Sequence, residues 1–261
     1  MADRSRSYQV EGIILRRRNL GEADSVFTVF SDELGKFEAV ARGVRKARSH
    51  MGGHLEPLTR VRVQIARGRN LDVFTQAESV STYLAVRDDL ERMGTAIYCA
   101  ELVDRFTLEH AEHPGLFDLF AETLEALDAA ASLNVVRYFE LHLLGLAGYE
   151  LVLDACAHCG ARLPEAETLL SPAAGGFVCT NCRASTAGRL LSVRAVKVLR
   201  HARRCDLATF AAMRIDDALA AELRAALADV VRFTLERDPL STRYLEEIAR
   251  LPAVREASGE K

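Results

Sequence analysis

Hydrophobic positions change their period near Leu84, from two to three or four. Before that point five short stretches behave as strands, Tyr8 to Leu15, Ser25 to Phe30, Lys36 to Ala41, Leu58 to Ile65 and Leu71 to Ala77. Turn-forming runs lie between them, among them Ser31-Asp32-Glu33-Leu34-Gly35 and Arg67-Gly68-Arg69-Asn70. Five short strands in so little chain predict a small closed β-barrel of the OB type, with an SH3-like barrel as the alternative that shares this pattern.

After Leu84 the apolar residues recur as on helices. Phe117, Phe120, Leu124 and Leu127 make one stripe, Val136, Phe139, Leu143 and Leu146 a second, and Leu219, Leu223, Leu227 and Val230 a third. Each predicts a helix face turned into a core. Cys99 falls in line with Leu102 and Phe106 and reads as a small core residue, whereas the role of Cys205 is ambiguous. Asp238-Pro239 reads as an N-cap and a first-turn proline for a last helix. The expected architecture is α+β and multidomain: an OB barrel over 1–82, a helical domain over 83–153 and 185–252, a cysteine module over 154–184 inserted in it, and a disordered tail over 253–261.

Two CxxC pairs define that module, Cys156-Ala157-His158-Cys159 and Cys179-Thr180-Asn181-Cys182, with nineteen residues between them. One tight turn can offer two thiolates to a shared metal, and a second completes the tetrahedral four-sulfur shell that Zn²⁺ prefers. Gly160 after the first pair and Gly175-Gly176 before the second supply backbone freedom where the chain must fold back. Four thiolates leave no open position, so one structural zinc per chain is expected and water activation is not. Disulfides or a reactive CxxC are the competing readings. No signal peptide is visible, because Met1-Ala2-Asp3-Arg4-Ser5-Arg6 leads into a polar segment, and no apolar run is long enough to span a membrane. A cytoplasmic location is therefore expected, and structural disulfides are disfavoured. His158 can be imagined as a fifth candidate ligand, but inside the turn it is expected to face solvent or a neighbouring side chain.

The net charge of −3 hides an uneven distribution. The first eighty or so residues are net basic and the rest net acidic, yet the segment from Arg183 to Arg204 has seven basic residues and no acidic one. Local basic surfaces on an acidic body suit a polyanion bound at defined places. One candidate is the loop after the third strand, with Arg42, Arg45, Lys46 and Arg48, joined by Arg16 and Arg17 of the first strand; such cations follow a phosphate backbone without reading bases. Tyr8, Phe27, Phe37 and Phe74 are candidate stacking platforms, each more readily understood as core. The other candidate is a helix carrying Arg194, Lys197, Arg200, Arg203 and Arg204. Its uniform sign costs stability unless an anion or an acidic partner offsets it.

Catalytic signatures are missing. There is no phosphate-binding loop around Gly35-Lys36, no GxSxG elbow, no HExxH pair and no deaminase HxE. Glu22 and Asp24 could be taken as an acid/base or metal pair, but polar turn residues of the first hairpin are the plainer reading.

Several separate segments together resemble the RecO family of bacterial recombination mediators. They are Glu22-Ala23-Asp24 with Val26 to Ser31 and Gly35-Lys36; Ala41 to Lys46 with Ser49; Arg137 to Leu141 before Leu144 and Gly148; the CxxC pairs with Gly175-Gly176; and Pro239 to Leu245. One departure is that Tyr149 follows Gly148, where the family often has proline. The resemblance implies a protein without bond-making catalysis that binds single- and double-stranded DNA and anneals complementary strands. It further implies that, with RecR, such a protein helps load RecA onto strands coated by single-strand-binding protein, whose acidic C-terminal tail it contacts, and that it works at the nucleoid. A zinc-ribbon or OB regulator reading RNA or DNA sequence and, further off, a metal-dependent hydrolase using Glu22 and Asp24 are the alternatives.

Overall fold

A computed structural model of the chain describes residues 7–129 and 131–250. The expected disordered tail lies outside the described residues. Five strands, β1 (Ser7–Leu20), β2 (Asp24–Ser31), β3 (Gly35–Ala41), β4 (Arg60–Ala66) and β5 (Asp72–Ser81), close into a barrel in the order β1-β2-β3-β5-β4. All neighbours are antiparallel except β3 and β5, which pair in parallel through Ala39 and Val40. That is the five-stranded OB arrangement. Its interior holds Val10, Ile14, Phe27, Val29, Phe37, Val63, Ile65 and Phe74, with Val44 and Leu55 plugging it from the long β3–β4 connection. Phe27, Phe37 and Phe74 are therefore core and not stacking platforms; only Tyr8 is half-accessible, with Arg67 over its ring at 5.1 Å.

β1 runs farther than alternation suggests. A bulge between Ile14 and Arg16 resets the pleat, and the strand continues through Arg16-Arg17-Arg18 against β2.

Helices α1 (Leu84–Arg87), α2 (Leu90–Phe106), α3 (Leu116–Asp128) and α4 (Val135–Leu146) come next. Asp89 caps α2, accepting from the Glu91 and Arg92 N–H groups. The α3 stripe is buried in full, as are Val136, Phe139 and Leu143 of α4; Leu146, at the last turn of α4, is exposed instead, because the helix ends before that face meets a neighbour. Barrel and helices share a core: Ile13, Leu15, Phe30, Leu58 and Tyr83 join the helical cluster, with Phe30 and Phe117 ring centroids 6.3 Å apart. Lys36 fastens the seam with an ion pair to Asp104 at 3.0 Å.

The chain then forms a three-stranded sheet of β6 (Thr168–Ser171), β7 (Gly176–Val178) and β8 (Arg189–Leu191), ordered β7-β6-β8. Helices α5 (Val193–Ala202), α6 (Leu207–Ala211), α7 (Asp217–Leu235) and α8 (Leu240–Arg250) return to the helical body. Leu219, Leu223, Leu227 and Val230 of α7 are all buried. The start of α8 departs from expectation. Asp238 pairs with Arg232 at 2.7 Å, and it is Glu101 of α2 that accepts the Leu240 and Ser241 N–H groups, each at 2.8 Å. A carboxylate from a distant helix performs the capping expected of a local one.

Candidate metal centre and nucleic-acid interface

The two CxxC turns are built by backbone bonds that the spacing permits. In the first, Gly160 N–H donates to the Cys156 carbonyl at 2.8 Å, with Gly160 in the left-handed region at φ 72°. In the second, Cys182 and Arg183 N–H groups donate to the Cys179 carbonyl at 3.1 and 3.0 Å. Gly176 is required by close approach: a Cβ there would lie 2.3 Å from the Val152 carbonyl oxygen. These turns bring the sulfurs of Cys156, Cys159, Cys179 and Cys182 within 4.8 Å of one another. Among the described residues this is the one group of three or more metal-ligating side chains so placed. His158 stands outside it, bonded to the Thr186 hydroxyl at 3.2 Å.

The donor set fits a metal. Cys159 and Cys179 sulfurs are 3.8 Å apart, close to the ~3.8 Å edge of a tetrahedron whose metal–sulfur bonds are about 2.3 Å. Backbone N–H groups of Cys179 and then Cys159 draw the Cys156 thiol down to about 6, ready to ionise. Hydrogen bonds with Cys179 and then Cys159 push Cys182 up to about 12. Four thiolates so close oppose one another, and a bound cation is what would let all of them ionise. The four cysteines could hold a zinc ion.

The basic loop after β3 is tied down at its root. Gly43 N–H donates to the Asp24 carboxylate at 2.7 Å, Arg45 N–H to the Ala23 carbonyl at 2.9 Å, and the Arg45 guanidinium to the Gly21 carbonyl at 3.1 Å. Asp24 is thus a loop anchor, and with Glu22 it joins no cluster of metal-ligating groups among the described residues. Arg42, Arg45, Lys46 and Arg48 are all exposed, and among the described residues none of them pairs with a carboxylate.

The other predicted cations are engaged. Arg16 lies 3.7 Å from both Glu38 and Asp104, and Arg17 pairs with Glu56 at 3.0 Å beside the Phe27 ring. On α5 Arg194 meets Asp216 and Lys197 meets Glu165, and just past its end Arg203 meets Glu150 and Arg204 meets Asp154, all at 2.5 to 2.7 Å. Arg200 and Arg203 also donate to the Leu153 and Leu151 carbonyls, at 2.8 and 2.9 Å, and so clamp the segment that leads into the first cysteine turn. The acidic partner that this helix needs is therefore within the chain; Asp154, for one, lies 50 residues before Arg204. The cations on and just after α5 still differ in kind: Arg200 keeps 12% of its side chain exposed, against 62%, 55% and 66% for Arg194, Lys197 and Arg204.

A groove of about 580 Å³ that the sequence pattern does not foretell lies between α2, α4, α7 and α8, with Ala225 and Ala228 among its apolar lining and Arg137, Arg189, Arg224 and Arg232 around it, Arg189 and Arg232 both paired to Asp229. Arg137 is held by fully buried Glu140 at 2.9 Å, which in turn accepts from the Tyr98 hydroxyl at 2.6 Å. Burial pushes the Glu140 carboxyl up, against the pull of Arg137 and of Tyr98. The run of alanines on one face of α7 is the available signal, since small residues leave room for something else.

A closed OB barrel fused to a helical body, bearing a four-cysteine knuckle that could hold a metal and an anchored cationic loop, defines a multidomain class built around surfaces. Comparison with known proteins narrows that class to one family. Residues 5–83 match the family model for the recombination protein O N terminal, and residues 87–243 match that for the recombination protein O C terminal. The DNA repair protein RecO of Roseiflexus sp. (strain RS-1) is 40% identical over 250 residues, covering 95% of this chain and 88% of that protein. That of Dehalococcoides mccartyi (strain ATCC BAA-2266 / KCTC 15142 / 195) is 34% identical over 244 residues, 93% and 96% of the two chains. That of Symbiobacterium thermophilum is 33% identical over 246 residues, 92% and 97%. The chain belongs to the RecO family of DNA repair proteins. No helix among the described residues is long and apolar enough to cross a membrane.

Proposed function

We propose that the protein is a recombination mediator that binds single- and double-stranded DNA and anneals complementary strands without making or breaking covalent bonds. The observation that carries this reading is the set of four exposed cations, without a carboxylate partner among the described residues, on a loop whose root is fixed by Asp24. Annealing requires two polyanions to approach with their base edges free, and backbone-directed cations on a firm support meet that need. The first strand follows Arg42, Arg45, Lys46 and Arg48, flanked by Arg16 and Arg17. A second is met by Arg194, Lys197 and Arg204, whose exposed ion pairs are weak enough to exchange for phosphates, while Arg200 and Arg203 support that helix from beneath.

Cys156, Cys159, Cys179 and Cys182 hold one structural zinc, which supplies cross-linking and no open coordination position. The working division of the chain is the barrel over 1–82, the helical domain over 83–153 and 185–252, and the metal module over 154–184. The groove around Arg137 suits an acidic peptide with an apolar end: guanidinium groups rim it and alanine methyls line it. The acidic C-terminal tail of single-strand-binding protein is the candidate occupant, and with RecR the protein would load RecA onto coated strands in the cytoplasm, at the nucleoid.

Annealing of complementary strands by the purified chain, with and without Mg²⁺, tests the central reading. Annealing in both conditions with the strands left intact is expected. No annealing, or cleavage when Mg²⁺ is added, would overturn it.

A further inference from the structure

The walls of the barrel are unequal. Along β2 every residue from Ser25 to Ser31 is buried, and along β3 every residue but Glu38. Strands two and three are where a five-stranded barrel of this type ordinarily receives an oligonucleotide. Here that wall is occupied by the chain itself: Phe30 packs on Phe117, Lys36 reaches Asp104, and Arg16 and Arg18 lie across Thr28 and Glu38. β4, β5 and the first part of β1 alternate between buried and accessible positions and leave an open wall on another side.

On this wall the register sets Gln9 opposite Gln64 and Gln64 opposite Gln76. Three glutamines stand in one row, with strands about 4.8 Å apart, and among the described residues none of their side-chain amides has a hydrogen-bond partner. The next row is Glu11, Arg62 and Glu78, in which Arg62 pairs with Glu11 at 2.9 Å and Glu78 has no ion pair of its own among the described residues, so the row is net negative. His50 and Met51, directly after the basic loop in the chain, close the glutamine row into a cavity of about 350 Å³.

A surface without free cations gives a phosphate track little to hold. A row of free amides, each with donors and an acceptor, suits the hydrogen-bonding edges of nucleobases, and Met51 adds a soft apolar surface beside them. The closed barrel presents no strand edge for an extended peptide to join. A strand whose phosphates follow Arg42 to Arg48 is led toward His50 and onto this row. We infer that Gln9, Gln64 and Gln76 form a base-contacting subsite for single-stranded nucleic acid on the β1–β4–β5 wall. The inference rests on the strand-binding reading above and adds that part of the affinity comes from bases.

Fluorescence anisotropy with a mixed-sequence single strand and an abasic strand of equal length tests it, on the full chain and on a Gln9→Ala/Gln64→Ala/Gln76→Ala variant. Wild type is expected to bind the base-bearing strand roughly tenfold more tightly, and the variant to lose that preference with abasic binding unchanged. Should the triple variant not fold, Gln9→Ala and Gln76→Ala alone, both at exposed positions, are each expected to lose about two- to threefold in the same comparison. Equal binding of the two strands by wild type, or a folded variant that keeps the preference or weakens on both strands alike, overturns the subsite and leaves the loop reading in place. Failure of wild type to bind either strand overturns both.

Discussion

The Asp24 carboxylate accepts the Gly43 N–H at 2.7 Å, and this bond joins the turn closing the first hairpin to the root of the loop that carries Arg42, Arg45, Lys46 and Arg48. An acidic residue thereby serves a cationic surface. Replacing Asp24 with alanine makes the barrel more positive, which on charge alone would tighten DNA binding. The loop anchor is lost at the same time, at a cost of about 1–2 kcal/mol in stability. Weaker binding of a single strand, measured by anisotropy at fixed salt, is the expected outcome because the four cations no longer share one arrangement. Tighter binding would mean that charge density alone governs the loop.

Metal and fold should be lost together in the cysteine module. Cys156 is buried in the helical core cluster, which also holds Leu153 and Phe177. Cys156→Ser is expected to abolish stoichiometric zinc in elemental analysis and to lower the thermal midpoint, since metal binding is folding free energy in such modules. Protons compete for the same sulfurs. The folded Cys156 thiol stands near 6, below its ordinary value of 9.0, so its contribution is present above that ordinary value and is lost as pH falls through 6. Zinc release monitored with a chromogenic chelator should therefore rise on acidification.

Docking of α8 depends on one carboxylate. Burial raises the Glu101 pKa, but hydrogen bonds from Ser241 and Leu240 and the Arg105 guanidinium outweigh it and hold the group below its ordinary 4.5. A depressed pKa contributes stability that is present above 4.5 and is lost as pH falls beneath it. Glu101→Gln removes the charge at every pH. Hydrogen exchange of the Leu240 and Ser241 amides is expected to quicken in the variant at neutral pH, and in wild type only after acidification.

Removing Arg137 should do more than trim a surface. Glu140 is fully buried, and Arg137→Ala would strip it of its ion-pair partner while the Tyr98 hydroxyl still donates to it. A loss of about 3 kcal/mol in denaturant stability is expected, together with weaker binding of an acidic peptide that ends in apolar residues. Arg224→Ala, at an exposed position and acting on Glu140 only through a longer-range pull weaker than that of Arg137, separates the two effects: peptide affinity should fall with a much smaller loss of stability than in Arg137→Ala.

Much of this organisation can be read from residue order. Alternation locates five strands because a closed barrel keeps one face of each strand dry, and the CxxC spacing locates the candidate metal ligands because one turn must present two sulfurs. Long-range pairing is what the pattern conceals. Arg203 and Arg204 look uncompensated at the end of α5, yet Glu150 and Asp154 reach them from across the fold. Glu101 caps a helix 139 residues away, which displaces the local Asp238 from that role. Phe27, Phe37 and Phe74 cannot be assigned inside or outside before the barrel closes, since alternation marks two faces without saying which is wet.

The division of labour between the two basic regions is tested most directly by the salt dependence of single-strand affinity. An Arg42→Gln/Arg45→Gln/Lys46→Gln/Arg48→Gln variant should lower the slope of log K against log salt by about 0.7 for each phosphate no longer neutralised, up to roughly 3 for the set. An Arg200→Gln/Arg203→Gln variant should keep the wild-type slope and instead lower the thermal midpoint, because those side chains hold the Leu151 and Leu153 carbonyls. A loop variant with the wild-type slope, or a clamp variant that loses slope while its thermal midpoint stays put, would contradict the assignment.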